Sequence, residues 1–370
     1  MKKLTKLIIY FVYLTIAALI LVECCLRIFG FHSDGGNTII DHHSLLGWIF
    51  KPNQVAICVG LEWKVKYSVN EYGIREKTNI GKKQDGVYRV LVLGDSFTEG
   101  FGIPQDKRYT HLAEILCNKR DSRKVEIINA GIRGYNLTQY YLLFQILYGK
   151  YNPDLVVIAA VHGDLKVKGD AMAGKNVVFG KEKYSIPYYI LEDEKIVLKG
   201  VPVPLPDKSA YTEGKLEVLK KYLKKSTLYC FVRSAYRNNT FIRKIINWSY
   251  PEHFFDEKML SNTPDDMQAE QQIAKLIIEN MKSVLSHDNN KIAIFLLFDD
   301  SAGYDVAFYS KIAKELQIPY MCFSEVNDKY KLDKSKHHFK YDGHLNEKGN
   351  VLVAESLYNF FEQCGMFDSS

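Results

Sequence analysis

VLVLGDSFTEGFG, Val90 to Gly102, opens on four aliphatic residues and then turns to glycine, acid and serine. The aliphatic run reads as a buried strand that stops at Gly94, so Ser96 emerges at the strand's carboxyl end, where a helix begins. A serine at that place serves well as a helix N-cap. A backbone N–H at a helix start can equally stabilise an oxyanion, which would make the serine a nucleophile. Spacing alone does not choose between the two.

Outward from this stretch, strand-like and helix-like patterns alternate. YRVLVLG is followed by the helical YTHLAEILCNK, then VEIINAG, then LTQYYLLFQILYGKY, then DLVVIAAV. The rhythm returns near the C-terminus, with a helix around Met267 to His287, the strand KIAIFLLF, a helix around Ala307 to Leu316, the short strand PYMCFS and a last helix from Glu347 to about Cys364. Repeated strand, helix, strand implies an α/β fold: a central parallel sheet in a three-layer α/β/α sandwich, with catalytic groups gathered at the carboxyl ends of its strands. Between Leu165 and about Asp266 the rhythm breaks. That span reads as an insertion carrying a hairpin, YYILEDEKIVLKG, and amphipathic helical pieces around Lys215 to Arg237. Insertions of this size shape binding faces rather than cores.

The chain has 370 residues, 47% hydrophobic and 25% charged, which is ordinary for a globular protein and excludes a disordered chain. Its formal charge is +6, but Lys2, Lys3, Lys6 and Arg27 against Glu23 place +3 of that within the first 31 residues. The remainder is too weak for a nucleic-acid footprint. The run KLEVLKKYLKKS (Lys215 to Ser226) reads as a wet helix face. Seven scattered cysteines without a C-x-x-C pair suggest neither a zinc site nor a disulfide framework.

Between Lys6 and Glu23, LIIYFVYLTIAALILV carries no charge. With Glu23 and Arg27 snorkelling, the segment is long enough to span a bilayer, and no A-x-A cleavage site follows it. Lysines ahead of the span place the N-terminus in the cytoplasm and the rest of the chain outside. The expected organisation is a membrane anchor over 1–31, an extended or β-rich lead-in over 32–86, which contains EWKVKYSV (Glu62 to Val69), and a catalytic domain over 87–370 with its insertion at about 165–266.

A serine nucleophile needs a base and a group to orient that base. YDGHLNEKGN, Tyr341 to Asn350, holds Asp342 and His344 in one short loop before the last helix. Alone, D-G-H-L-N is also a good polar turn. Four segments together, RVLVLGDSFTEGFGI, EIINAGIRGYN, PDLVVIAAVHGDL and DGHLNEKGN, resemble in order and spacing the SGNH or GDSL family of serine hydrolases, in particular its bacterial membrane-anchored branch. Weaker echoes of that branch are ECCLRIFG, LGWIFKPN (Leu46 to Asn53) and VNEYGIRE (Val69 to Glu76). The resemblance implies a flavodoxin-like sheet, with Ser96 as nucleophile, His344 as base and Asp342 as its orienting acid. It further implies that the N–H groups of Ser96 and Gly134 form the oxyanion hole. Two departures stand out. The family's third segment ends G-N-D, whereas this chain reads H-G-D, with Gly163 where an oxyanion-donating asparagine is expected; His162 and Asn136 are the candidates to replace it. Asp342 and His344 are also separated by one residue rather than the usual two.

Other polar groups read more plainly. Asp299 and Asp300 sit at a strand end, His337 and His338 lack partners at metal-ligand spacing, and His111 starts a helix. The expected activity is hydrolysis of acyl esters, of an acetyl group in particular, on extracytoplasmic polysaccharide, with no metal or cofactor required. The same acyl-enzyme would make an O-acetyltransferase if a sugar hydroxyl replaced water. A binding protein that kept the fold and lost catalysis is the third expectation, motivated by Gly163. The expected partners are the ester substrate, a cell-envelope glycan and the membrane.

Overall fold

Along the strand Tyr88–Gly94, Val90 and Val92 belong to one hydrophobic cluster and Leu91 and Leu93 to another, the period-two signature of a strand buried on both faces. The computed structural model describes residues 2–33, 39–76, 80–120, 123–161, 163–164, 176–179, 182–206, 223, 225–238, 264–297, 304–323 and 332–367. Within it Tyr88–Gly94 is an interior strand, second from one edge, of a five-stranded, wholly parallel sheet. The other strands are Val125–Gly131, Leu155–Ala160, Lys291–Leu296 and Tyr320–Cys322. Numbered along the chain, their order in the sheet is 2-1-3-4-5, that of a flavodoxin-like sandwich. The order reverses between the first and third strands, and ligands bind at the carboxyl ends of such a pair.

Each face of the sheet is covered by helices. Leu91, Ile128, Ile158 and Ile294 pack with the helices Leu137–Tyr151, Pro264–His287 and Tyr304–Leu316. Val90, Ile127, Val157 and Phe295 pack with Tyr109–Arg120 and Glu347–Gln363. Every residue of Leu155–Ala160 is buried, as a central parallel strand requires. Burial of each such side chain stabilises the fold by roughly 1.5–3 kcal/mol.

The described part of the 32–86 stretch contains two antiparallel hairpins, Ile40–His43 with Gly47–Phe50 and Val55–Val59 with Lys64–Ser68. Trp48, Phe50 and Tyr67 are buried in the same cluster as Leu91 and Ile158. The expected hairpin in YYILEDEKIVLKG is present as Tyr188–Glu192 paired with Lys195–Lys199. Its two turn residues, Asp193 and Glu194, both adopt positive φ, which a two-residue turn between right-twisted strands demands. Of the expected helical pieces between 215 and 237, the described part is Thr227–Asn238; most of KLEVLKKYLKKS lies outside the described residues.

The N-terminal helix, Lys2–Ile28, is long and apolar enough to cross a membrane. Its side chains are exposed up to Val22, whereas Glu23, Cys25 and Leu26 are partly covered.

Candidate active site

The short helix Ser96–Glu99 starts directly after the strand Tyr88–Gly94, and Asp95 caps it by accepting the Phe97 N–H at 2.9 Å. The sequence left Ser96 as either cap or nucleophile; the neighbouring carboxylate takes the cap, and the serine hydroxyl turns outward. Ser96 Oγ lies 2.8 Å from His344 Nε2 and 3.3 Å from Asp95 Oδ2. His344 Nδ1 in turn meets Asp342 Oδ1. With the Nδ1 proton given to the carboxylate, Nε2 is the acceptor and the serine hydroxyl donates to it.

The loop bearing His344 is tied on all sides. Its own turn is closed by the Phe339 N–H to the His344 carbonyl at 2.8 Å. Glu62, from the lead-in, accepts the N–H groups of Lys340 at 3.0 Å and Tyr341 at 2.7 Å. Asn346 caps the following helix Glu347–Gln363 through the Gly349 N–H. The imidazole itself stands between Phe97 and Phe101, with ring centroids 4.9 and 4.7 Å away. Trp63 meets Phe101 edge-on at 4.9 Å. Phe97 and Phe101 both belong to the opening motif, one on the short helix and one just past its left-handed cap at Gly100; Glu62 and Trp63 carry no such signal.

Across the sheet, Gly134 lies in the turn from Ile132 to Tyr135 at φ +77°, a conformation that other residues adopt only with strain. Among the described residues, no acceptor is bonded to the N–H of Gly134 or of Ser96. The turn is pinned to the nucleophile helix by Glu99. This fully buried carboxylate accepts the Arg133 N–H at 2.9 Å and its guanidinium Nε at 3.1 Å, and takes the Tyr67 hydroxyl at 3.0 Å. Arg75, from VNEYGIRE, donates to the carbonyls of Gly100 at 2.7 Å and Ile103 at 2.6 Å. Trp48, from LGWIFKPN, donates to the Arg133 carbonyl at 3.0 Å. The two echoes in the lead-in thus supply the props beneath both active-site turns.

Asn136 is the N-cap of Leu137–Tyr151, in a reciprocal capping box with Gln139, so its side-chain oxygen is committed to the helix. His162 lies outside the described residues, as do Asp299 and Asp300. Gly163 adopts φ +92°, and no described atom lies within 4 Å of where its Cβ would stand. Asp164 is buried and accepts from Tyr140 Oη and the Val161 N–H, each at 2.8 Å. His337 Nδ1 accepts the Asp333 N–H, a local turn bond, and His111 lies in the first turn of its helix, 3.9 Å from Glu114. A cleft of about 450 Å³ opens beside the catalytic loop, lined by Trp63, Ile103, Phe339 and Asn346 rather than by Ser96. Among the described residues no group of three or more His, Cys, Asp or Glu is set to hold a metal.

Burial pushes the Asp95 carboxyl up to about 6, although the Phe97 N–H, the charge of His344 and the Ser96 hydroxyl draw it down. Burial also opposes the charge on Arg133, but Glu99 more than compensates, and the guanidinium pKa ends above its ordinary value.

No family model matches the chain, and neither does any curated protein. Solved structures do. The chain is similar to TesA at 10% identity, over 75% of this chain and 99% of that one, with a TM-score of 0.39. It is similar to the psychrotrophic esterase EstA from Pseudoalteromonas sp. at 12% identity, over 74% and 97% of the two chains, with a TM-score of 0.39. An acetyl xylan esterase, AlAXEase, matches at 14% identity over 73% and 98%, with a TM-score of 0.38.

Proposed function

We propose that the chain is a serine ester hydrolase of the SGNH type, held by an uncleaved N-terminal helix with its catalytic domain outside the cytoplasm. What carries the reading is the continuous hydrogen-bond chain Ser96, His344, Asp342 at the carboxyl end of the strand Tyr88–Gly94, at the switch point of the sheet. Ser96 Oγ attacks the acyl carbon as its proton passes to His344 Nε2, and Asp342 stabilises the imidazolium. The N–H groups of Ser96 and Gly134, fixed by Glu99 and Arg133, meet the negative charge that develops on the carbonyl oxygen. His344 then returns the proton to the leaving alcohol, and water repeats the sequence to free the acid.

The acyl group we assign is acetyl, and the substrate class an envelope polysaccharide; both rest on the resemblance of the four motif segments to the membrane-anchored branch. The same resemblance supports the division into an anchor over 1–31, a lead-in over 32–86 and a catalytic domain over 87–370. The three lysines ahead of the apolar helix support a cytoplasmic N-terminus.

The test is labelling of the full chain, in detergent, with a fluorophosphonate probe. Wild type is expected to label and Ser96→Ala not to; a folded wild-type chain that stays unlabelled overturns the reading in favour of a binding protein. Incubation with an acetyl ester, with and without oligosaccharide, then separates release of acetate from transfer to sugar.

A further inference from the structure

Arg27 and Glu23 stand in the last two turns of the apolar helix, where the bilayer would end. The Glu23 carboxylate is not left to solvent. It accepts the N–H of Thr227 at 2.9 Å, the N–H of Leu228 at 2.8 Å and the Ser226 hydroxyl at 2.9 Å. The two N–H groups are orphan donors at the start of the helix Thr227–Asn238, so a residue 203 positions upstream of Ser226 caps that helix together with Ser226, whose Oγ accepts the Tyr229 N–H at 3.2 Å. Arg27 braces the carboxylate at 2.8 Å and donates to the Lys225 carbonyl at 3.1 Å.

The capped helix leads to the catalytic loop. Phe231 packs on Tyr341 with ring centroids 5.2 Å apart, and Phe31, three residues past the apolar helix, packs on both, at 5.2 Å from Phe231 and 6.0 Å from Tyr341. Ser234 Oγ donates to the Tyr341 carbonyl at 2.9 Å. A second route runs through the His32 N–H to the Leu61 carbonyl, 2.9 Å, next to Glu62, which holds the same loop. Tyr341 stands three residues before His344, a reach of at most about 11 Å.

We propose that the end of the apolar helix is a positioning element of the active site: Glu23, through the helix it caps, and Phe31, through Tyr341, hold the loop that sets His344 on Ser96. This rests on the ester-hydrolase reading for its kinetic consequence, though not for its structural one. The site then operates with its membrane helix attached, within reach of the bilayer surface, on substrate held there. Removal of the chain through Phe31 would leave the Thr227 and Leu228 N–H groups without their acceptor, with only Ser226 Oγ still capping the helix through the Tyr229 N–H, and would take the Phe31 ring from Tyr341.

Full chain in lipid nanodiscs is compared as wild type, Glu23→Ala, Glu23→Gln and Ser234→Ala, with Leu19→Ala on the exposed part of the apolar helix as control. Hydrogen exchange over residues 338–346 is expected to rise in Glu23→Ala and Ser234→Ala, and to stay at the wild-type level in the control. Fluorophosphonate labelling of Ser96 and kcat are expected to fall on the order of 10-fold to 100-fold in Glu23→Ala with KM little changed, as for a base displaced by about 1 Å. Glu23→Gln, which keeps one acceptor oxygen, should recover part of the loss. Ser234→Ala, which removes a single half-buried bond, covers the case in which Glu23→Ala fails to fold. Unchanged loop exchange in Glu23→Ala and Ser234→Ala overturns the positioning role. The exchange response in the variants, beside a wild-type chain that does not label, overturns the ester reading alone.

Discussion

Glu99 and Arg133 bind each other across the two turns that flank the reaction centre, the carboxylate on the nucleophile helix and the guanidinium one residue before Gly134. Both are buried, so the pair is worth little as a net source of stability, while removal of one partner strands a charge. Glu99→Ala is expected to destabilise the fold by about 3–5 kcal/mol. Glu99→Gln, which keeps the volume and one acceptor, should cost less and lower kcat more than it raises KM, because the Gly134 N–H is freed from its place. Thermal unfolding beside steady-state kinetics checks both; an unaffected Tm in Glu99→Ala would remove the pair from the account.

His344→Ala is expected to reduce ester turnover by about 10⁴-fold or more, since no other base stands within hydrogen-bond distance of Ser96 Oγ among the described residues except the acidic Asp95. Asp342→Asn is expected to cost less, on the order of 100-fold. The Asp342 and His344 side chains are each 24% exposed, so water can supply part of the orientation and solvation that a buried acid would provide alone. Equal losses in the two variants, measured as kcat/KM on one ester, would contradict this division of roles.

Much of the frame was legible in the sequence because its signals are local. The buried strand ending at Gly94, the strand and helix alternation, and the DGHLNEKGN loop each depend on periodicity or turn chemistry within about a dozen residues. The bonds that hold the site together are not local. Glu62 to Tyr341, Trp48 to the Arg133 carbonyl and Glu23 to Thr227 each join residues 85 to 279 positions apart, and a glutamate or tryptophan carries no mark of which distant amide or carbonyl it will meet. Asn136 carries two signals at once. Its place beside the glycine motif makes it an oxyanion candidate through its amide nitrogen, and its position just before an apolar run, with Gln139 three residues on, is also the signature of a capping box, in which its side-chain oxygen is used.

Asp95 gives the fold a pH dependence whose sign follows from its burial. Its carboxyl titrates near the ordinary 3.8 when the chain is unfolded and at about 6 when folded. Below the first value both states carry the proton; between the two the folded state holds it more tightly, so stability falls as pH rises, and above about 6 the loss is complete. The full effect is on the order of 3 kcal/mol. Asp95→Asn keeps an acceptor for the Phe97 N–H without the charge. Its Tm relative to wild type is expected to be higher at pH 7.5 than at pH 4.5, and a difference that does not grow with pH would show that Asp95 ionises without penalty.

Gly163 tests how much of the expected oxyanion hole this chain lacks. The resemblance puts an amide donor at this position, and here the backbone is left-handed, with open space among the described atoms where a side chain would start. Asparagine tolerates that backbone region better than most residues, so Gly163→Asn is expected to fold with a small loss of stability. One well-placed oxyanion donor is worth roughly 100-fold to 1,000-fold in rate. Some of that is forfeited if another group already fills the role, so the expected gain in kcat is on the order of 10-fold to 100-fold, with KM little moved. Gly163→Ala is the control, since it imposes the same backbone strain without a donor and should gain nothing. A rise in kcat for asparagine alone would mean that the hole is incomplete in the natural chain; equal kcat in both variants and wild type would mean that a donor other than residue 163 already completes it.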